Sequence, residues 1–262
     1  MKIALVDYLN AAPLWWGLKA GHRPDGWELC FRTPAQCADM LRSGEAKVGI
    51  VPSLEFDRIP DLCMPVPLGV ACAGEVRSVL LFCGGPLAEI GTVMLDPTSR
   101  TSQSLVKILL RTRTASPPRY AEKAWDGGSL APDAAALVIG DRALRLRKGW
   151  GGTVVDLGRE WFEETGRPFV FAVWAAQKLP DEEFVAEALL RSYHFGAEHL
   201  EEIVTKYAPK VGLSQEEVRD YLTVALHHPL REPDYEGLRE FWERAWLERE
   251  PEIESAGETE IR

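Results

Sequence analysis

Basic residues are in deficit in this chain of 262 residues: Lys and Arg number 30 against 40 Asp and Glu, a formal net charge of -10. Such a balance repels nucleic-acid phosphates and anionic membrane surfaces, so neither is expected as a partner. A negatively charged ligand must instead be drawn in by local donors. Long apolar runs are missing too. Ile3-Ala4-Leu5-Val6 gives way at once to Asp7, too short for a signal-peptide core and far short of a membrane span, so a cytoplasmic location is expected. The cysteines (Cys30, Cys37, Cys63, Cys72 and Cys83) are odd in number and contain no Cys-x-x-Cys pair. They read as small buried hydrophobes rather than a disulfide frame or a zinc site. Histidine is scarce. His194 and His199 fall on different faces of a helix and make no metal pair, and His227-His228 read as helix-end residues favoured by the helix dipole. A Gly-x-Ser-x-Gly elbow, a phosphate loop and a dinucleotide glycine motif are all absent. No metal or organic cofactor is indicated.

What is present is a globular α/β pattern with a hydrophobic fraction of 46%, enough for a sizeable core. The run 3–6 reads as a buried strand and 12–16 opens a helix. Residues 27–32 read as a strand, Thr33 caps a helix with Pro34 at its first position, and 48–51 follow as a third strand. This is βαβ alternation, hence parallel strands joined by helices. Apolar segments at 66–73 and 76–83 precede the breaker Gly84-Gly85-Pro86, after which the alternation restarts: strand 92–95, helix 99–110, strand 135–139, helix 160–165 and strand 169–175. Beyond Pro180 the chain reads as helical, with Asp181 as a cap and Ser214 with Glu217 as a capping box, and a polar tail from Glu250 is expected to fray. The expectation is a discontinuous first lobe built from 1–85 plus 175–262, with a second lobe, 86–174, inserted. The crossings would lie near Gly84-Gly85 and Phe171 to Ala175.

Asp96-Pro97-Thr98-Ser99-Arg100-Thr101-Ser102 follows a strand and opens a helix. Free N–H groups at a helix start, with hydroxyls and a cation, suit a carboxylate or phosphate, although Thr98 or Ser99 could equally be a plain cap. Asn10, Ser53 and Gly140-Asp141 stand at other strand ends. Ligands of parallel α/β sheets sit beyond such ends, so these groups are expected to converge on one cleft. Arg77-Ser78 leads into an apolar strand at the expected hinge. The polar groups of this cleft include no obvious general base.

Several stretches together resemble the chorismate dehydratase family: Tyr8 to Leu14, Val48 to Ser53, Ser78 to Phe82, Asp96 to Ser102, Leu137 to Asp141, and Asp156 to Trp161 leading to Pro168 to Ala175. The resemblance runs in order from residue 1 to about 247. It implies a two-lobed fold like that of type II periplasmic solute-binding proteins, with mixed sheets flanked by helices and a ligand cleft between the lobes. It implies a lyase that removes water from chorismate, a small dianion, to give 3-[(1-carboxyvinyl)oxy]benzoate on the futalosine route to menaquinone. On this basis Asn10 and Ser78 are the catalytic candidates. Ser53, Ser99, Arg100, Thr101, Ser102, Asp141 and Trp174 are the substrate-binding candidates, with Arg100, Thr101 and Ser102 on one carboxylate. The alternatives are a non-enzymatic small-anion solute-binding protein and the related 1,4-dihydroxy-6-naphthoate synthase of the same pathway.

Overall fold

A computed structural model of the chain describes residues 1–179 and 181–247. The polar tail expected to fray lies outside them. In chain order the elements are β1 (Lys2–Val6), α1 (Ala12–Lys19), β2 (Glu28–Arg32), α2 (Pro34–Arg42), β3 (Val48–Pro52), β4 (Leu62–Cys63) and β5 (Leu68–Cys72). Then come β6 (Val79–Cys83), β7 (Thr92–Leu95), α3 (Arg100–Leu110), β8 (Arg119–Glu122), β9 (Ala134–Ile139), α4 (Gly140–Arg147), β10 (Thr153–Asp156) and α5 (Leu157–Thr165). The chain ends with β11 (Phe169–Gln177), α6 (Glu182–Glu198), α7 (Leu200–Val211), α8 (Gln215–Asp220), β12 (His227–Pro229) and α9 (Glu232–Leu247). Among the described residues no helix is long and apolar enough to cross a membrane.

The strands form a seven-stranded sheet, β12-β5-β11-β3-β1-β2 with β4 beside β11, and a five-stranded sheet, β10-β6-β9-β7-β8. Both are mixed. β1 pairs parallel with β2 and β3, and β7 parallel with β8 and β9, whereas β11 runs antiparallel to β3 and β5 and β6 antiparallel to β9 and β10. The parallel parts come from the βαβ alternation seen in the sequence. Antiparallel pairing enters with β6 and β11, the strands that follow each change of sheet, and with the short β4 and β12.

This sheet membership corrects the expected crossings. β6 belongs to the five-stranded sheet and β11 to the seven-stranded one, so the chain crosses between sheets at 73–78 and 157–168 instead of near Gly84-Gly85 and Phe171 to Ala175. Gly84 is a turn glycine: a Cβ there would sit 2.0 Å from the Ala131 carbonyl oxygen. It marks the close passage of two segments within one lobe, which in sequence looks the same as a linker. The crossings are pinned by Asp156. Its carboxylate caps α5 by accepting from Gly158 and Arg159 N–H and also accepts from Val76 N–H (3.0 Å) and Arg77 N–H (2.7 Å) on the other crossing.

The C-terminal part packs helices onto the first sheet, as expected, but adds the short strand β12 at its edge. The contact of α6 with α1 is backbone-close. A Cβ at Gly196 would stand 2.3 Å from Pro13 O, and Ser192 Oγ donates to Leu14 O at 3.0 Å. Gly196→Ala must therefore separate the two helices. We expect it to cost about 1–3 kcal/mol of stability, read as a lower midpoint in urea unfolding.

Candidate active site between the sheets

The carboxyl ends of β1, β3, β7 and β9 point at one another across the gap between the sheets. There they flank a cleft lined by Tyr8 and Asn10 after β1, Pro34, Ile50 and Pro52, Ser99 and Ser102, Ile139 and Gly140, and Phe171 with Ala172. Tyr8 is the ionisable side chain of the lining, and burial holds its phenol above its ordinary range, so it stays neutral.

Among the described residues no lysine or arginine lines the cleft, so attraction of an anion would rest on the backbone. Helices α1, α2, α3 and α4 each begin at this wall, at Ala11-Ala12, Pro34, Ser99-Arg100 and Ile139-Gly140. Helix starts carry the positive end of the dipole, and several aimed at one cavity favour an anion there. The hydroxyls add direction. Ser99 accepts from Ser102 N–H and donates its own proton to Ser102 Oγ at 2.8 Å, which leaves the Ser102 proton free for a ligand.

Of the residues proposed from sequence, Asn10, Ser99 and Ser102 lie on the lining and the others do not. Arg100 is committed elsewhere: its guanidinium meets Asp39 at 2.7 Å and the fully buried Glu55 at 3.3 Å, and Glu55 also pairs with Arg42 at 2.7 Å. Thr101 Oγ1 accepts from Leu54 N–H at 3.1 Å. The reason is helical phase. Ser99 and Ser102, three apart, share the cleft face of α3, while Arg100 and Thr101 are turned into the seam between the lobes. Asp141 also serves the seam, accepting from Leu9 N–H at 2.9 Å, and burial raises its carboxyl above the ordinary range. Ser53 turns its hydroxyl to Val170 O at 2.7 Å, because Pro52 takes the cleft-facing place on that strand. Trp174 is wholly buried in the first sheet's core, its indole N–H without a hydrogen-bond partner among the described residues. Ser78 is also wholly buried, one residue before the lining Val79. Its carbonyl accepts from Gly140 N–H at 2.7 Å, and its hydroxyl accepts from the Tyr221 hydroxyl.

The structure adds Phe171 and His228, which the sequence did not single out as site residues, and explains Gly140, which it did. Phe171 is the extra residue of a β-bulge, where β11 shifts register against β5 between Val170 and Ala172. That bulge lets both Phe171 and Ala172 face the cleft. Gly140 holds a left-handed φ of 62°, and a Cβ on it would press on the Tyr8 ring at 2.9 Å. His228, read from sequence as a helix-end residue, is instead buried behind the site with Nε2 at 2.8 Å from Asn10 O. A carbonyl only accepts, so Nε2 carries the proton.

A sequence model described as menaquinone biosynthesis matches residues 1–246. The chain belongs to that family. It is similar to chorismate dehydratase of Thermus thermophilus, 32% identical over 94% of this chain and 95% of that protein, and to chorismate dehydratase of Campylobacter jejuni, 26% identical over 92% and 96%. Among solved structures it is similar to a protein of Archaeoglobus fulgidus, with a TM-score of 0.73 and 15% identity over 94% of this chain and 97% of that one. It is also similar to the alkanesulfonate-binding protein of Xanthomonas axonopodis, with a TM-score of 0.64 and 12% identity over 94% and 91%. The fold of this family member is thus periplasmic-binding-protein-like, α/β with mixed sheets flanked by helices.

Burial lowers the pKa of His228 from 6.5 to about 4, helped slightly by His227, so the folded chain keeps this ring neutral. The unfolded chain takes up a proton near pH 6.5 that the folded chain refuses. The stability tied to neutral His228 is therefore complete above about pH 6.5 and is lost as the pH falls toward 4. The expected loss is about 3 kcal/mol over that window. Urea unfolding at pH 7 and pH 4 should show it, and His228→Gln should reduce the difference.

Proposed function

We propose that this chain is a chorismate dehydratase, a hydro-lyase that removes water from chorismate to give 3-[(1-carboxyvinyl)oxy]benzoate for menaquinone biosynthesis. The observation that carries the reading is a neutral, hydroxyl-lined cleft fed by the starts of α1, α2, α3 and α4, in a chain of the menaquinone biosynthesis family.

The chemistry asks little of a protein base. The hydrogen on the ether-bearing ring carbon is acidified through the ring double bond by the ring carboxylate. Its loss as a proton, with departure of the neighbouring hydroxyl, makes the ring aromatic and forms one water. The substrate's own enolpyruvyl carboxylate takes the proton and passes it to the leaving hydroxyl. This agrees with a lining whose ionisable group is Tyr8, a phenol that burial keeps protonated. What the protein supplies is orientation, stabilisation of the developing dienolate and exclusion of bulk water.

In this reading Ser99 and Ser102, with the α3 start, receive a substrate carboxylate in place of Arg100, whose charge is spent on Glu55 and Asp39. Asn10 orients the leaving hydroxyl, and Ser78, buried beside the lining Val79, holds Gly140 of the cleft wall through its carbonyl. The work is assigned to the cytoplasm, where the sequence reading expects this chain. A purely solute-binding role has only the shared fold in its favour, at 12% identity.

Purified protein incubated with chorismate should yield a product one water lighter with a meta-substituted aromatic ring in the proton NMR spectrum. Unchanged chorismate from folded protein would overturn the reading. Asn10→Ala should lower kcat by about 10²–10³ with little change in KM, the effect of removing one preorganised donor. Near-normal turnover in that variant would remove Asn10 from the chemistry.

A further inference from the structure

After Asp220 the helix α8 widens into a single π turn over Tyr221–Ala225, and Leu226 N–H closes it on Tyr221 O at 3.2 Å. Wide turns of this kind shift the phase of a helix by one residue and concentrate at functional sites. Here the turn leaves Tyr221 aimed into the interior. Its ring is 1% exposed and its hydroxyl donates to Ser78 Oγ at 2.7 Å. The chain then leaves the helix and runs along the edge strand β12, where His228 donates from Nε2 to Asn10 O at 2.8 Å. Ser78 stands on the crossing before β6 and Asn10 on the loop after β1, so one short C-terminal segment holds two residues that are far apart in the chain and on opposite sheets.

We propose that Tyr221 and His228 are positioning residues for the dehydration, the π turn and the strand after it fixing Ser78 and Asn10 from behind. The inference rests on the dehydratase reading of the site. A phenol is the better donor of a phenol–alcohol pair, so Tyr221 gives its proton to the bond and Ser78 keeps its own to offer elsewhere. Ser78 is wholly buried beside the lining Val79 and its carbonyl accepts from Gly140 N–H at 2.7 Å, so a Ser78 fixed by Tyr221 sets the wall that the departing hydroxyl meets. The bond from His228 falls on the backbone of Asn10 and, among the described residues, leaves its carboxamide without a partner, so the side chain is oriented without being occupied. Burial keeps Tyr221 protonated and His228 neutral, the forms these bonds require.

The test is steady-state turnover of chorismate by the full chain and its variants, with thermal unfolding in parallel. Tyr221→Phe keeps the ring and its packing and removes only the hydroxyl. It should lower kcat about 10- to 100-fold and leave KM within about twofold, the scale of a misplaced reacting group. Combined with Ser78→Ala it should cost nothing more than Ser78→Ala alone, since both changes break the same unit. His228→Gln retains an N–H donor and should stay within about threefold of the parent in kcat, whereas His228→Leu should lose about 10-fold or more. Parent-like kcat in Tyr221→Phe, or losses that multiply in the double variant, would overturn the inference while the parent's own turnover upholds the dehydratase reading. A folded parent that leaves chorismate unchanged would overturn both.

Discussion

The carboxylate of Asp156 ties together the two places where the chain passes between its sheets. One oxygen accepts from Val76, Gly158 and Arg159 N–H, and the other from Arg77 N–H. Burial pushes this acid's pKa upward while those N–H donors pull it down, the situation of a charge held by backbone amides and not by a salt bridge. Around it the crossings pack tightly. A Cβ on Gly158 would stand 2.6 Å from Cys72 Sγ, Trp161 is fully buried beyond, and Arg77 adopts a left-handed φ of 61° while its side chain meets Asp220. The relative placement of the sheets, and so the shape of the cleft, follows from this junction.

The cleft is electrostatically economical. Arg100, next in chain to the lining Ser99, is turned into the seam, where it meets Glu55 from across the lobes. Bonds from Leu9 to Asp141, Leu54 to Thr101 and Ala35 to Thr98 close the same seam. The polar run Asp96 to Ser102 thus has two jobs: Ser99 and Ser102 for the cleft, and Thr98, Arg100 and Thr101 for lobe contact. Anion attraction is left to helix starts, whose partial charges are fixed by the backbone and need no rearrangement when charge moves in the ligand. A wall of this kind suits an elimination in which charge spreads through a ring.

Much of the architecture was legible because its signals are local. The caps at Thr33 and Asp181, the capping box at Ser214, and the apolar runs of β1, β3, β7, β9 and β11 all occur where the residues suggested, and of Thr98 and Ser99 it is Ser99 that caps α3. The short strands β8, β10 and β12 were not read, since Arg119–Glu122 and His227–Pro229 carry little apolar alternation and are strands only because a neighbour supplies the pairing. Within the site, the strand ends at Asn10, Ser99 and Gly140 could be read as a converging set. The bulge that turns Phe171 inward and the burial of His228 behind Asn10 could not, because each is set by a partner segment remote in sequence.

The sequence by itself determined the α/β class and the parallel βαβ units, and it raised the expectation of a chain that returns to its first lobe and of polar strand ends around a ligand. These follow from periodicity, capping and loop chemistry within a few residues. Only the tertiary structure decided which sheet β6 and β11 join, that Arg100, Thr101 and Asp141 serve the seam while Ser99 and Ser102 serve the cleft, and that Tyr221 and His228 stand behind Ser78 and Asn10. The physical reason is that a side chain's role depends on the direction it faces once the sheets are docked. That direction is fixed by helical phase, a bulge and a π turn acting across contacts that no local pattern records.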